Sequence, residues 1–305
     1  MFQLPFRADE SIDYETLEGE IEWLISAGVD GVVFAMVSEL LRLSDQERRE
    51  VARVVCEQCR GRIATIVSVG SESTSGAVAH ARHAEEVGAS AVMAIPPVST
   101  AALPEELKTY YHKLIEAIEI PVVVQDASGY VGQPMSVALQ ASLHQRFGQR
   151  VMFKPEATPI GPRLTELREA TRGKASIFEG TGGIALVDSF ARGICGTMPG
   201  ADIVDVIIYL WGALSDGDQG VVDTIGPLVS AYIAMQTSLD AFLAIEKHTL
   251  CRRGVFRNVV VRGPKSYRLD EQTRREADRL FDLMMAAMDP AARAGQGFAD
   301  RKVAL

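Results

Sequence analysis

A chain of 305 residues is long for one domain, but a closed α/β barrel accommodates that length as a single unit. With 47% hydrophobic and 23% charged residues it can bury a large core, and no apolar run approaches the ~18 residues of a bilayer span, which sets a membrane protein aside. A formal net charge of -9 argues against nucleic acid or an anionic membrane as partner, since phosphates are gripped by clustered Lys and Arg; a small molecule is the expected partner.

The opening, MFQLPFRADES, lacks the basic stretch and apolar run of a secretory signal, so the expected location is cytoplasmic. From there short runs rich in Val, Ile and Ala alternate with stretches of helical period, the rhythm of βα units around a parallel sheet. A first strand is expected at Gln3–Pro5, followed by a helix over Tyr14–Ala27 that Gly28 closes. Then come a strand at Val32–Met36, a helix over Asp45–Cys59 opened by Ser44, a strand at Ala64–Ser68 and a helix over Ser73–Val87. The alternation continues with strand Ala91–Ile95, helix Pro104–Ile118, strand Val122–Gln125, helix Met135–Phe147, strand Val151–Lys154 and helix Pro162–Thr171. Strand Ile177–Glu179, helix Ile184–Arg192 and strand Ile194–Thr197 complete eight repeats, a (β/α)8 TIM barrel over residues 1–200.

Beyond it the pattern turns wholly helical, with Ala201–Ser215, Gly220–Cys251 and Asp270–Met288 as apolar-faced helices. Residues 201–305 therefore read as a C-terminal helical extension packed on the barrel within one structural domain, and Ala291–Leu305 as a frayed end. Cys56 and Cys59 form a C-x-x-C pair, but inside a helix and with no second ligand pair. The five histidines, His80, His83, His112, His144 and His248, lie on helices away from strand ends, so no metal site is expected.

Lys154 is one of seven lysines and the only one at the C-terminal end of an expected strand, where active sites of this fold are built. Among apolar side chains the neutral amine is favoured, and a neutral amine attacks a ketone to give a Schiff base. The competing reading is an ion pair with Glu156 or Glu179 closing the barrel mouth. Glu39 and Glu156, also at strand ends, are candidate general acids or bases. Gly180, Thr181 and Gly182, before Gly183, open a βα turn whose amides could cradle a carboxylate.

Several segments, in order from Phe6 to Gly200, resemble the dihydrodipicolinate synthase/N-acetylneuraminate lyase family of lysine-dependent aldolases. PFRADESIDYETLEGEIEWLISAGVDGVV resembles the family's opening strand, first helix and second strand. ATIVSVGSESTSGAVAHARHAEEVGASAVM is similar to the third strand through the fourth, and VMFKPEAT stands where the family carries Lys-Glu-Ala-Thr. The resemblance implies a Schiff base on Lys154 with a 2-keto acid such as pyruvate or a sugar-derived keto acid, without metal or organic cofactor. It also implies a homo-oligomer, most simply a tetramer, which the apolar excess of Gly220–Cys251 favours on physical grounds.

The site itself departs from the family pattern. Ala35-Met36-Val37-Ser38-Glu39 replaces a Gly-Thr-Thr-Gly-Glu type loop, leaving Val37 and Ser38 at substrate-gripping positions. The fourth strand ends Ile95-Pro96-Pro97 where the synthase branch has tyrosines. Gln125 stands at the proton-shuttling tyrosine of the fifth strand, with Tyr130 as a candidate replacement, and Ser128-Gly129-Tyr130 has no counterpart of the synthase arginine. Pro155 separates Lys154 from Glu156, so either the lysine turns to the outer face or a bulge returns it to the lumen. The resemblance thus implies a Schiff-base lyase other than dihydrodipicolinate synthase itself. The alternatives are a dehydratase of a 2-keto-3-deoxy sugar acid and a barrel without catalysis that binds a ligand or a partner.

Overall fold

In the computed structural model, which describes residues 1–99 and 101–288, strands and helices alternate along the chain. They are α1 (Tyr14–Ala27), β1 (Gly31–Phe34), α2 (Asp45–Cys59), β2 (Ala64–Ser68), α3 (Thr74–Glu86), β3 (Ala91–Ala94) and α4 (Pro104–Glu116). There follow β4 (Val122–Asp126), α5 (Val137–Phe147), β5 (Val151–Pro155), α6 (Ile160–Ala170), β6 (Phe178–Glu179), α7 (Leu186–Ala191) and β7 (Gly196–Thr197). Strands β1 to β5 pair in sequence order and β6 pairs with β7, all parallel. A single bridge between Phe153 and Ile177 joins the two sheets around the barrel.

Local chemistry sets the boundaries. Asp13 accepts a hydrogen bond from the Thr16 amide to open α1, and Gly28, at φ +88°, ends it in a left-handed turn that only glycine adopts without strain. Ser44 and Glu47 form a reciprocal capping box at the start of α2. Along the strands, residues of one parity (Val32, Phe34, Val92, Val124, Phe153) join the large core under the helices. Those of the other parity (Val33, Ala35, Met93, Val123) fill the lumen with Met198 and Phe242. Burial on both faces is why the strands read as unbroken apolar runs.

Two expectations are corrected. Gln3–Pro5 forms no ladder strand. Residues 2–6 are buried, but outside any ladder: Ser38 Oγ donates to Phe2 O, the Gln3 amide donates to Glu20, and the Asp13 amide donates to Pro5 O beside a lone antiparallel bridge of Phe6 with Ile12. Gly220–Cys251 is two helices rather than one, because Ser238 accepts from the Ala241 amide and starts a new helix after a break at 235–238. The tail comprises α8 (Val204–Asp216), α9 (Gln219–Ala234), α10 (Leu239–Arg252) and α11 (Glu271–Ala287). Helix α8 packs on α1 and α9, and α11 on α9 and α10. The break at 235–238 turns the start of α10 over the barrel mouth, which puts Phe242 into the lumen cluster. No helix among the described residues is long and apolar enough to cross a membrane. The segment expected to fray, Ala291–Leu305, lies outside the described residues.

Candidate active site

Strand β5 keeps unbroken register with β4 from Val122 against Val151 to Asp126 against Pro155, so no bulge is present. The reason is the direction of the missing donor. Phe153 donates its amide to Ser176 O on the β6 side, whereas Glu156 donates to Asp126 O on the β4 side. Pro155 shares the parity of Phe153, so the N–H it lacks is one the β4 ladder never needed. Lys154 therefore alternates with Phe153, faces the lumen on the same side as Met152, and is 1% exposed.

Above it lies a small cavity of about 10 Å³, roughly room for one water, lined by Lys154, Glu156, Gln125, Tyr130, Val37 and Gly180 among others. The Lys154 ammonium donates to Glu156 Oε1 and, at 3.4 Å, to the carbonyl of Gly180. Gln125 Nε2 donates to the same Glu156 oxygen at 2.7 Å. That bond fixes the amide's orientation, since the carboxylate can only accept. Gln125 Oε1 and Glu156 Oε2 are left buried without a protein partner. Burial pushes the Glu156 carboxyl above its ordinary value of 4.5, against the opposing pull of Lys154. Gly180 is required by contact: a Cβ there would lie 2.7 Å from Glu156 Cγ and 2.8 Å from Lys154 Cγ. Tyr130 closes the cavity from the loop after β4, and burial raises its phenol well above 10.

Of the other expected site residues, Val37 and Gly182 reach the cavity wall, whereas Ser38, Glu39 and Thr181 do not line it. The Ser38 hydroxyl accepts from the Ala35 amide and donates to Phe2 O, so it serves the backbone. Thr181 bonds to Glu179 through both its amide and its hydroxyl. That occupies an amide expected to cradle a carboxylate. Glu39 turns away, at φ +56°, into an ion pair with Lys247 on α10, its second oxygen accepting from the Arg262 amide. Cys56 and Cys59 are buried on the inner face of α2.

Met1 and Phe242 also line the cavity and were not anticipated. Phe242 arrives from a helix 88 positions after Lys154, and only the helix break at 235–238, which has no Gly or Pro to mark it, directs it there.

A model of the dihydrodipicolinate synthetase family matches residues 1–206. The chain belongs to that family. A 4-hydroxy-tetrahydrodipicolinate synthase of Ralstonia nicotianae is 33% identical over 177 residues, 58% of this chain and 60% of that protein. The chain thus spans between 56% and 60% of the length of the first curated synthase relatives it matches. An L-2-keto-3-deoxyarabonate dehydratase of Azospirillum brasilense is 30% identical over 214 residues, 68% of each chain. In fold, the dihydrodipicolinate synthase of Rhodopseudomonas palustris superposes with a TM-score of 0.84 at 24% identity, covering 92% of this chain and 96% of that one. The barrel and its added helices are those of the family.

Proposed function

We propose that the protein is a lyase of the class I aldolase type that joins Lys154 to a 2-keto acid, pyruvate or a sugar-derived keto acid, as a Schiff base. The observation that carries this reading is a lysine at the lumenal end of β5 whose Nζ meets a carboxyl group that burial makes reluctant to ionise. A proton moves from Nζ to Glu156 Oε1, leaving an amine and a carboxylic acid. The amine attacks the keto carbon, the carbonyl oxygen takes up the proton released by nitrogen, and a carbinolamine results. Glu156 then protonates the carbinolamine hydroxyl, which leaves as water, giving a protonated imine and a carboxylate. The imine draws electrons from the adjoining carbon. The Glu156 carboxylate can next take the proton of a hydroxyl one carbon further out, so that the C–C bond breaks.

Gln125 holds Glu156 in place and cannot itself carry the proton. Val37, Gly180 and Gly182 supply the walls for the substrate. A keto acid is larger than the cavity, so Tyr130 and Phe242 move aside when it enters. The dehydratase reading uses the same imine, with the base removing a carbon-bound proton and hydroxide leaving instead. It is favoured by the Azospirillum relative, which aligns over two thirds of both chains. Synthesis of dihydrodipicolinate is not expected, because Gln125 and Ser128-Gly129-Tyr130 offer neither the tyrosine nor the arginine of that branch. The same reading includes a cytoplasmic homotetramer, for which light scattering at a mass near the 33.1 kDa of one chain would be the contrary result.

Borohydride reduction in the presence of pyruvate, other 2-keto acids and 2-keto-3-deoxy sugar acids tests the proposal. The expected result is a mass increment on Lys154 that is absent from Lys154→Ala. A full panel without labelling, or labelling that survives the substitution, sinks it.

A further inference from the structure

A cleft of about 580 Å³ lies against the face of α10 that looks away from the Lys154 site. Helical spacing sets this arrangement. Asp240, Ala244 and His248 recur every fourth residue and form one stripe along the cleft, whereas Phe242 points the other way, into the Lys154 cavity. The rest of the lining comes from the connection between α10 and α11, and from Arg274 on α11. That connection has no regular structure over 255–270, yet it is pinned along its length. Val260 O accepts from Lys247 Nζ at 2.7 Å, the Arg262 amide donates to Glu39, and Ser266 donates to Asp240 through both its amide and its hydroxyl. The wall is therefore formed before any ligand arrives, as small-molecule sites usually are.

Charge in the cleft is unbalanced. Lys265, Arg268 and Arg274 all line it, in a chain whose formal net charge is -9. Among the described residues the side chains of Lys265 and Arg268 have no ion-pair or hydrogen-bond partner. Arg274 gives Nε and Nη2 to Glu271, which leaves Nη1. Asp240, the carboxylate on the lining, is already engaged, one oxygen with Arg42 and the other with Ser266. The cations share the cleft with apolar groups: Val259, Val261, Leu269 and the ring of Tyr267. Val259 is 53% exposed. Solvated surface cations need no apolar wall, and a concave apolar wall in water marks a place to be covered.

We propose that this cleft binds a small organic anion, a carboxylate or phosphate group on an apolar body, at a site separate from that of Lys154. Arg268 and Arg274 offer planar forks that match two oxygens of such a head group, and Lys265 adds a point charge. Val259, Val261 and Leu269 cover the body. An inorganic ion alone would meet the cations and leave the apolar wall in water. The volume falls in the range of small-molecule sites, roughly 300–1,000 Å³, so a ligand of that size rather than a folded partner fits.

Titration calorimetry of the full chain with phenyl phosphate tests this, with inorganic phosphate and benzyl alcohol as the two halves of the probe. Phenyl phosphate is expected to bind saturably and at least about tenfold more tightly than either half. Lys265→Ala combined with Arg268→Ala should weaken it at least about tenfold, and so should Val259→Glu, which sets a carboxylate on the apolar wall. All three positions are exposed, and circular dichroism matching the parent would show that the variants fold. Lys154→Ala should bind the probe as the parent does, so the outcome does not depend on whether Lys154 forms an imine. Absence of saturable binding up to ~10 mM, inorganic phosphate binding as tightly as phenyl phosphate, or affinity that survives the double substitution would overturn the proposal. Loss of binding in Lys154→Ala alone would also do so, by placing the probe in the other cavity.

Discussion

The barrel holds two buried lysine–glutamate pairs of like composition and opposite character. Lys247 and Glu39 are 0% and 2% exposed, Lys154 and Glu156 1% and 2%. Around the first pair the polar atoms are engaged. Lys247 Nζ meets Glu39 Oε1, donates to Val260 O at 2.7 Å and lies 4.7 Å from the centre of the Phe6 ring. Glu39 Oε2 takes the Arg262 amide at 2.9 Å and stands 3.5 Å from Arg42. Around the second pair Glu156 Oε2 and Gln125 Oε1 have no protein partner, and a cavity adjoins them. Burial is thus common to both, and spare bonding capacity is what separates the pair proposed to react from the pair that is fully engaged. The first pair fastens α10 to the turn after β1, whereas the second keeps unpartnered polar atoms beside a cavity.

The largest expected effect breaks the comparison at the Lys154 pair. Lys154→Ala should lower turnover of whichever keto acid labels the parent by at least about 10³-fold, since no other described lysine faces that cavity. Stability should change little, because burial already pushes the Glu156 carboxyl toward its protonated form, and it can take up a proton once its partner is removed. Steady-state kinetics together with urea unfolding check both halves. A mutant that keeps activity but unfolds easily would mean that the two pairs had been assigned the wrong way round.

At the other pair the pattern should invert. Lys247→Met removes the cation from a buried carboxylate, a change that typically costs about 3–5 kcal/mol, while leaving the Lys154 cavity walls in place. Urea denaturation would read the loss. Glu39→Gln combined with Lys247→Met should recover part of it, since a neutral pair has no stranded charge. A cost under about 1 kcal/mol for the single substitution would contradict the distinction.

These two pairs also mark where sequence reasoning ran out. The boundaries of α1 and α2 were legible to the residue, because Gly28, Ser44 and Glu47 carry the capping chemistry within the chain segment itself. Lys154 was legible as a residue but not in its direction, since the harmlessness of Pro155 depends on which neighbour its missing N–H would have faced. Glu39 read as a strand-end acid because its partner lies 208 positions away on a helix with nothing in its pattern to announce a buried lysine. The same limit applies to Gln3–Pro5: an apolar run tells of burial, but ladder pairing needs strands on both sides, and the neighbours supplied side-chain bonds instead.

A third buried group extends the comparison to a carboxyl with no cation in contact. Glu20 accepts only the Gln3 amide, at 2.9 Å, its other oxygen is unpartnered, and burial pushes its pKa from 4.5 up to about 8. The folded chain thus binds this proton more tightly than the unfolded one. Its contribution is fully present below pH 4.5 and is lost as pH rises through about 8. Glu20→Gln keeps an oxygen for the Gln3 amide and has no proton to lose. Relative to the parent it should therefore gain stability between pH 5 and pH 9, by roughly 2 kcal/mol or more. The nearby Met1 amine, lowered to about 6, titrates in the opposite sense in both proteins, and because the Glu20 carboxylate raises it, the difference also carries the coupling between the two groups. Parallel stability curves for parent and variant would show that Glu20 ionises as freely as a surface carboxyl.

The smallest effect is expected where the geometry looks best. Arg62 grips Glu22 with two hydrogen bonds of 2.6 and 2.8 Å, and the contact holds the Glu22 carboxyl down at about 2. As a two-pronged fork it has a geometry that neither the Lys154 nor the Lys247 pair offers. Its side chains, however, are 42% and 50% exposed, so water screens the attraction and holding two long side chains in one arrangement costs rotamer freedom. A double-mutant cycle of Arg62→Ala and Glu22→Ala should give only a small coupling that fades as ionic strength rises toward 1 M, where charges are screened beyond ~3 Å. Gln58 also donates to Glu22, at 3.0 Å, so part of the single-site loss belongs to that bond and only the cycle removes it. A large coupling, insensitive to salt, would mean that two-pronged geometry rather than burial ranks the ion pairs of this protein, and the contrast between Lys154 and Lys247 would then need another cause.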